Sequence, residues 1–176
     1  FSIGIPVGII AALRQNSVLD YTVTFLATTG ITVPNFAVAI WLVMFVSVKM
    51  DLLPTQGWGT WQHMVLPVVA YCLAPTSLIA RFTRVSMLEA MRSDYIRTAR
   101  AKGLAEPVVI LRHVFKNALI PIITLVGPLI PNLMTGSIFI ENTFGIPGIG
   151  RHFVTSIFDR DYPVIMGVFM LVAVLF

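Results

Sequence analysis

The chain has 176 residues, of which 57% are apolar and only 11% charged, with a formal net charge of +4 and a mean hydropathy of +0.88. Water-soluble domains carry roughly 25% charged residues, so this composition excludes an ordinary soluble globule and indicates a protein of the lipid bilayer. Most of the positive charge lies in one segment between apolar runs, which is a pattern of membrane topology and argues against nucleic-acid binding.

The first apolar run, residues 1–13, is too short to cross a bilayer alone and is a predicted partial span. The second run, residues 19–48, is long enough for a complete span, and its first half is rich in threonine. Small polar residues and proline in a membrane helix favour contact with other helices or with water. We therefore predict that Thr28, Pro34 and Asn35 line a translocation path.

Residues 49–63 form the first predicted outer loop, which contains Trp58 and Trp61. An indole ring favours the headgroup zone of a bilayer, so we expect both tryptophans at the membrane surface. Residues 64–82 form the next complete span and return the chain to the inner side. Prolines within this span predict kinks.

A long basic loop follows over residues 83–116. Its first part, Arg84–Lys102, contains no proline or glycine and many good helix formers, which predicts one helix. Gly103 then stands where a helix C-terminal cap is preferred.

A second, short helix is predicted directly after that glycine. An acid and a proline, Glu106 and Pro107, favour a helix start, and the apolar residues that follow extend the helix to Phe115. This helix is too apolar for full solvation and too short to cross a bilayer. It therefore predicts docking into a groove of another protein.

Residues 117–140 form the third predicted complete span, which three prolines and two glycines interrupt. Each proline removes a backbone hydrogen bond, so the freed carbonyls need partners in protein or water. We therefore expect Thr124, Pro128 and Asn132 to line the translocation path as well. A kinked helix buried among other helices is the alternative.

Residues 141–162 form the second predicted outer loop, and residues 163–176 a further partial span. The loop starts with a turn-rich stretch, FGIPGIG, and continues as an amphipathic segment. This arrangement favours either docking of a soluble partner or an interfacial position on the membrane. The residues predicted to form the docking surface are Phe144, Gly145, Pro147, Gly148 and Gly150.

Charge sets the orientation of the predicted spans. Nine of the twelve Lys and Arg side chains fall in the predicted inner segments and three in the outer ones. The positive-inside rule therefore places the basic loop in the cytoplasm. The partial spans at both ends predict a piece of a longer multi-pass membrane protein.

Several segments together resemble a known family: YIRTARAKGL, LRHVFKNALIP, MTGSIFIENTFGIPGIG, DRDYP and, near the start, RQNSVLDY. They resemble the permease of a dipeptide or oligopeptide binding-protein-dependent ABC importer, in the peptide and nickel branch. The resemblance implies an all-α polytopic membrane protein with the type I importer permease (MetI-like) fold. It implies one transmembrane domain over residues 1–176, without the first span and the end of the last, in a bacterial or archaeal cell membrane.

The basic loop resembles the EAA signature of such permeases, whose glycine precedes a coupling helix that sits in a cleft of the ATPase subunit. Gly103 resembles that glycine. Arg97 and Thr98 stand where the general signature has Glu and its first Ala, while Ala99 is kept. The resemblance assigns coupling to the ATPase to Arg97, Ala99, Lys102, Gly103, Leu104, Ala105, Glu106, Pro107, Val109 and Arg112.

The resemblance also implies a non-enzymatic transport subunit for peptides, with nickel or glutathione as alternative substrates. The implied partners are a second permease subunit in a heterodimer, two cytoplasmic ATPase subunits, an extracytoplasmic binding protein and membrane lipid. The chain contains no phosphate-binding GxxxxGK[ST] sequence. ATP is therefore expected on the partner subunit, with no cofactor or metal on this chain.

The sequence supports two other classes of function less well. An intramembrane enzyme needs two catalytic groups at membrane depth. Cys72 is the only cysteine, and His63, His113 and His152 fall in predicted loops, so neither a catalytic pair nor a metal cluster is expected. A passive channel explains the broken helices but not the patterned basic loop. Loss of transport on altering this loop, without loss of folding, separates an importer from a channel.

Overall fold

A computed structural model describes residues 1–175. Within this range the chain forms helices joined by turns and no strand, which confirms the all-α prediction. The nine helices of the described residues are α1 (Gly4–Leu13), α2 (Val18–Thr32), α3 (Asn35–Leu42, continued as the π-helix Val43–Lys49), α4 (Trp61–Met91), α5 (Asp94–Ala101), α6 (Glu106–Met134, π-helical over Val109–Phe115), α7 (Ile138–Phe144), α8 (Ile149–Asp159) and α9 (Tyr162–Leu175).

Two of these helices, α4 and α6, are long and apolar enough to cross a membrane. The expected span over residues 19–48 is two helices, α2 and α3, which count as a third crossing if they are taken as one broken span. The break falls at Val33 and Pro34, where Pro34 has an extended backbone (φ −61°, ψ 139°). The residue before a proline disfavours helical geometry, which explains the position of this break.

The basic segment is not the single helix that was expected over Arg84–Lys102. Helix α4 continues to Met91, and α5 starts at Asp94. Between them Ser93 has an extended backbone (φ −74°, ψ 152°), and its Oγ donates a 2.5 Å hydrogen bond to the carbonyl of Ala90. The Ser93 hydroxyl thus bonds to the end of α4 and does not cap α5, a local side-chain to backbone bond that competes with a continuous helix.

The expected short helix that ends at Phe115 is not separate from the span that follows it. Helix α6 runs without a break from Glu106 to Met134, with Pro107 in its first turn and three further prolines beyond Lys116. It ends before the predicted limit of residue 140, because Gly136 has a positive φ of 79° that a right-handed helix does not allow. Helix α7 begins two residues later.

The chain divides into two compact units, of which the first comprises residues 1–32 and 74–127. Side chains from α1, α4, α5 and α6 form its core, namely Ala12, Met87, Ile96, Ala99, Val109, Val114, Ala118 and Ile122. The core includes residues of both predicted helices of the basic segment. This segment is therefore packed against the membrane helices of its own unit and is not a free loop.

The second unit comprises residues 33–73 and the chain from Pro128 onward. Its core contains Ala39, Leu66, Ala70, Ile140 and Phe144. The rings of Phe36 and Phe139 lie 5.6 Å apart and join α3 to α7. Those of Phe153 and Phe169 meet edge to face at 5.5 Å and join α8 to α9.

Candidate coupling surface and neighbouring sites

The turn between α5 and α6 has the geometry that the sequence predicts. Gly103 ends the α5 region with φ +76°, and its N–H donates a 2.9 Å hydrogen bond to the carbonyl of Arg100. A side chain at this position would meet no atom within 4 Å, so the glycine is needed for its backbone conformation and not for space. Helix α6 then starts at Glu106 with Pro107 in its first turn, as expected.

An ion pair closes this turn. The guanidinium of Arg100 donates two hydrogen bonds to the carboxylate of Glu106, from Nε at 3.1 Å and from Nη2 at 2.6 Å. Both side chains are about half exposed. The carboxylate raises the pKa of the Arg100 guanidinium above its ordinary value, because it hydrogen-bonds the charged form. The pair holds the residues on either side of Gly103 together.

Two residues of the predicted coupling set are buried. Val109 has no exposed surface and Ala99 is nearly as well covered, because both pack in the core of the first unit. They anchor the turn to the core of the first unit and are not accessible to a partner. The eight exposed members of the predicted set are Arg97, Lys102, Gly103, Leu104, Ala105, Glu106, Pro107 and Arg112.

Three exposed apolar side chains lie in the turn and at the start of α6, and we call Leu104, Val108 and Leu111 the coupling stripe. All three are exposed, with 66% of the surface of Leu111 accessible. The predicted coupling helix, Ala105–Leu111, includes Val108 and Leu111, although neither was assigned an individual coupling contact. Leu104 lies in the turn before α6, and Val108 and Leu111 lie in the first part of α6. The core residues and the ion pair hold this region in place. Its exposed apolar side chains therefore form a surface suited to a protein groove.

A second feature of the first unit was not predicted from the sequence. Asp20, in the first turn of α2, accepts hydrogen bonds from Nε and Nη2 of Arg84 on α4, the latter at 2.7 Å. Its Oδ2 also accepts the N–H of Asn16 at 3.0 Å. The Asp20 side chain is 1% exposed and that of Arg84 21%. This bidentate pair joins two helices that lie far apart in the sequence.

Helix α1 packs closely on α4 through two glycines that are four residues apart. A side-chain carbon at Gly4 would lie 2.8 Å from the carbonyl oxygen of Thr76, and one at Gly8 would lie 2.5 Å from that of Ala80. The two helix backbones therefore approach each other where side chains are absent. This is the packing that a small-xxx-small pattern favours in membranes.

The predicted path residues are accessible within their own units. In the first unit Thr28 and Thr124 are exposed, and each hydroxyl donates to the carbonyl four residues earlier, at 2.8 Å and 3.0 Å. In the second unit Pro34, Pro128 and Asn132 are exposed. Asn35, in the same unit, is half-buried and donates a 3.4 Å hydrogen bond to Ser137. Their role in a path stays a prediction.

The predicted outer docking residues divide into buried and accessible ones. Phe144 is a core residue of the second unit and Gly150 is buried as well, so the prediction that these two residues belong to an exposed docking surface is wrong. Gly145 has φ +67° and ends α7. Pro147 is exposed, and Gly145 and Gly148 are half-buried. Docking at these three positions stays a prediction.

Residues 1–175 contain no group of three or more His, Cys, Asp or Glu side chains that is arranged to hold a metal ion. Cys72 is exposed and forms no disulfide bond within this range.

The long apolar helices define the chain as a helical membrane protein. The sequence model of the family described as binding-protein-dependent transport system inner membrane component matches residues 4–176. The chain therefore belongs to that family, whose members are components of a transporter complex.

Similar relatives carry more specific names. The dipeptide transport system permease protein DppB of Bacillus subtilis (strain 168) is 49% identical over 164 residues, which are 93% of this chain and 53% of the relative. DppB of Lactococcus lactis subsp. cremoris (strain MG1363) is 42% identical over 173 residues, or 98% of this chain and 57% of the relative. The oligopeptide transport system permease protein OppB of Escherichia coli (strain K12) is 46% identical over 175 residues, with the same coverages. The chain spans little more than half the length of these relatives.

Proposed function

We propose that this chain is the membrane core of a permease subunit of an ATP-driven importer for peptides. The observation that carries the proposal is the coupling stripe, three exposed apolar side chains in the turn and at the start of α6, which a buried core and an ion pair hold in place. The names of the relatives, which refer to dipeptide and oligopeptide transport, support peptides as the substrate class. Nickel and glutathione are the alternative substrates.

The proposed complex contains a second permease subunit and two ATPase subunits in the cytoplasm, with a substrate-binding protein outside. ATP binds to the ATPase subunits, and this chain holds no cofactor. The coupling stripe sits in a groove of one ATPase subunit, with the exposed side chains of Ala105 and Arg112 beside it. The chain crosses the membrane several times, and residues 83–116 face the cytoplasm, in agreement with the distribution of Lys and Arg.

Coupling requires only that each state of the ATPases favours one of two arrangements of the permease. Val109 and Val114 are buried together with Met87 of α4 and Ala12 of α1. A displacement of the coupling stripe is therefore transmitted directly to two membrane helices of the first unit. Close packing makes this transmission stiff, because a dense core moves as a body and does not deform locally.

Nucleotide-dependent cysteine crosslinking tests the coupling role in the full-length permease. Cys72 is exposed, so it is first replaced by alanine. Single cysteines at Ala105 and Leu111 are then crosslinked to cysteines on the co-purified ATPase, with and without ATP. The matched control is Val109→Cys, which lies two residues from Leu111 but is buried and should give no crosslink.

A crosslink from both exposed positions that changes with nucleotide supports the importer. If a folded and inserted permease gives no crosslink to any ATPase, the importer is contradicted and a passive channel is favoured. Uptake of a labelled dipeptide, Ni²⁺ and glutathione by cells that carry the complete transporter then tests the substrate class. Uptake of Ni²⁺ or glutathione without uptake of the dipeptide would contradict the peptide assignment.

A further inference from the structure

Glu141 is a buried carboxylate in the second unit. It lies in α7, and only 7% of its surface is exposed. Its Oε2 accepts a 2.7 Å hydrogen bond from the backbone N–H of Arg151, in the first turn of α8. The N-cap of α8 is Gly148, which has no side chain to cap the helix. The carboxylate of Glu141 therefore supplies the cap that the local sequence lacks.

The glycines around Glu141 make room for this carboxylate. A side-chain carbon built at Gly148 would collide with the Glu141 carboxyl group, whose atoms are its three nearest neighbours, and one at Gly136 would collide with Oε1. Gly148 has an extended backbone (φ −108°, ψ 169°) that any residue can adopt. Its lack of a side chain is thus explained by the volume that Glu141 occupies.

Other bonds fasten the same turn. The carbonyl of Glu141 accepts the N–H of Ile146 at 2.9 Å, and the carbonyl of Phe144 accepts the N–H of Gly57 at 3.1 Å. The side-chain amide of Gln56 donates to the carbonyl of Thr143 at 3.1 Å. Residues 141–151 are therefore held by hydrogen bonds at both ends and by hydrogen bonds from Gln56 and Gly57. Pro147 remains exposed.

We infer that Glu141 is the positioning residue of the outer turn: it joins α7 to the start of α8 and thereby presents Pro147 in a fixed geometry to the substrate-binding protein. This inference rests on the proposed importer function. A turn that is ordered before binding does not lose its conformational entropy at the moment of docking, so loosening it weakens the complex. A carboxylate that only filled space would not have this effect.

The functional test uses the full-length permease assembled with its partner permease and ATPases in lipid nanodiscs. The ATPase rate is measured while the substrate-loaded binding protein is titrated, and the half-maximal concentration is the readout. Glu141→Ala should raise this concentration by up to about tenfold, because docking must then order a turn that has lost one hydrogen bond to a charged group. Glu141→Gln should keep the half-maximal concentration close to that of the wild type, because its amide oxygen can still accept the N–H of Arg151. Asp159→Asn, which removes an exposed carboxylate at the other end of α8, is the control.

A double-mutant cycle provides the structural test. Gly148→Ala should lower the thermal unfolding midpoint of the assembled permease in the wild-type background. In the Glu141→Ala background the same change should have little effect, because the obstructing carboxyl group is gone. Additive effects of the two substitutions would overturn the packing role of Glu141.

The two tests separate failure of the inference from failure of the proposed function. An unchanged half-maximal concentration in Glu141→Ala, with stimulation intact, overturns the positioning role alone. A wild-type complex whose ATPase does not respond to any binding protein contradicts the importer, while the double-mutant cycle still tests the position of Glu141. An equal loss of rate at every concentration in Glu141→Ala also counts against the positioning role.

Discussion

The guanidinium of Arg84 and the carboxylate of Asp20 form a bidentate ion pair between α4 and α2, in which the carboxylate is almost completely buried. The N–H of Asn16 adds a further hydrogen bond to the same carboxylate. The partners are unequal, because Arg84 keeps a fifth of its side-chain surface exposed. The loss of one partner therefore has different consequences from the loss of the other.

Arg84→Gln should lower the free energy of unfolding by about 3 to 5 kcal/mol, since it leaves the buried carboxylate without a counter-ion. Asp20→Asn should cost less, because the guanidinium that remains can reach water. Thermal unfolding of the detergent-solubilised protein measures both changes. The double variant Asp20→Asn/Arg84→Gln should lose less than the sum of the single losses. Purely additive losses would show that the two side chains do not interact in the folded protein.

The glycines of α1 provide a second prediction. Gly8→Ala should destabilise the protein by about 1 to 3 kcal/mol, because the added methyl group lies 2.5 Å from the carbonyl oxygen of Ala80 and 2.7 Å from Cβ of Thr83. The control is Gly127→Ala in α6, where an added methyl group meets no atom within 4 Å. This change should be neutral or should stabilise by roughly 0.5 to 1 kcal/mol through helix propensity. Chemical denaturation distinguishes the two outcomes, and equal effects would contradict close packing at Gly8.

Local sequence signals predicted the features that depend on a few neighbouring residues. The positive φ of Gly103 and the helix start at Glu106 and Pro107 follow from capping preferences, and the structure has both. Composition indicated a protein of the lipid bilayer, and the resemblance to importer permeases implied the all-α fold that the described residues have. The break at Ser93 also depends on neighbouring residues. The expectation of one helix over Arg84–Lys102 was nevertheless wrong, because it relied on the many good helix formers and not on the serine.

Features that depend on distant residues were not predictable in this way. Asp20 and Arg84 are 64 residues apart, and the sequence around either residue does not indicate that the two form an ion pair. The burial of Val109 depends on packing against α1, α4 and α5, while Leu111 two residues later remains exposed. A single short apolar helix therefore predicts a docking element without showing which of its side chains dock. The role of Gly148 likewise depends on a carboxylate seven residues earlier.

Gly103 allows a prediction about the geometry of coupling. Gly103→Ala places a side chain on a residue with φ +76°, which costs about 1 to 2 kcal/mol but causes no collision. The turn should relax towards a different angle, so uptake should fall while the protein remains folded and inserted. Gly103→Asn is the matched control, because asparagine tolerates this conformation better than alanine and should retain more uptake. Transport assays with protein amounts equalised by immunoblot measure the difference, and equal uptake in both variants would contradict the backbone requirement.

Leu111 and Val109 lie two residues apart and allow the interface to be separated from the core. Leu111→Ala removes an exposed side chain, so it should leave the unfolding midpoint unchanged while it reduces ATPase co-purification and uptake. Val109→Ala removes two buried methyl groups and should lower the free energy of unfolding by about 2 kcal/mol. Its effect on co-purification should be small wherever the protein remains folded, because Val109 is not accessible to a partner. Thermal unfolding and co-purification, measured side by side on both variants, test the pair of predictions. Loss of ATPase binding in Val109→Ala with an unchanged midpoint would place the interface on the opposite side of the helix from the coupling stripe.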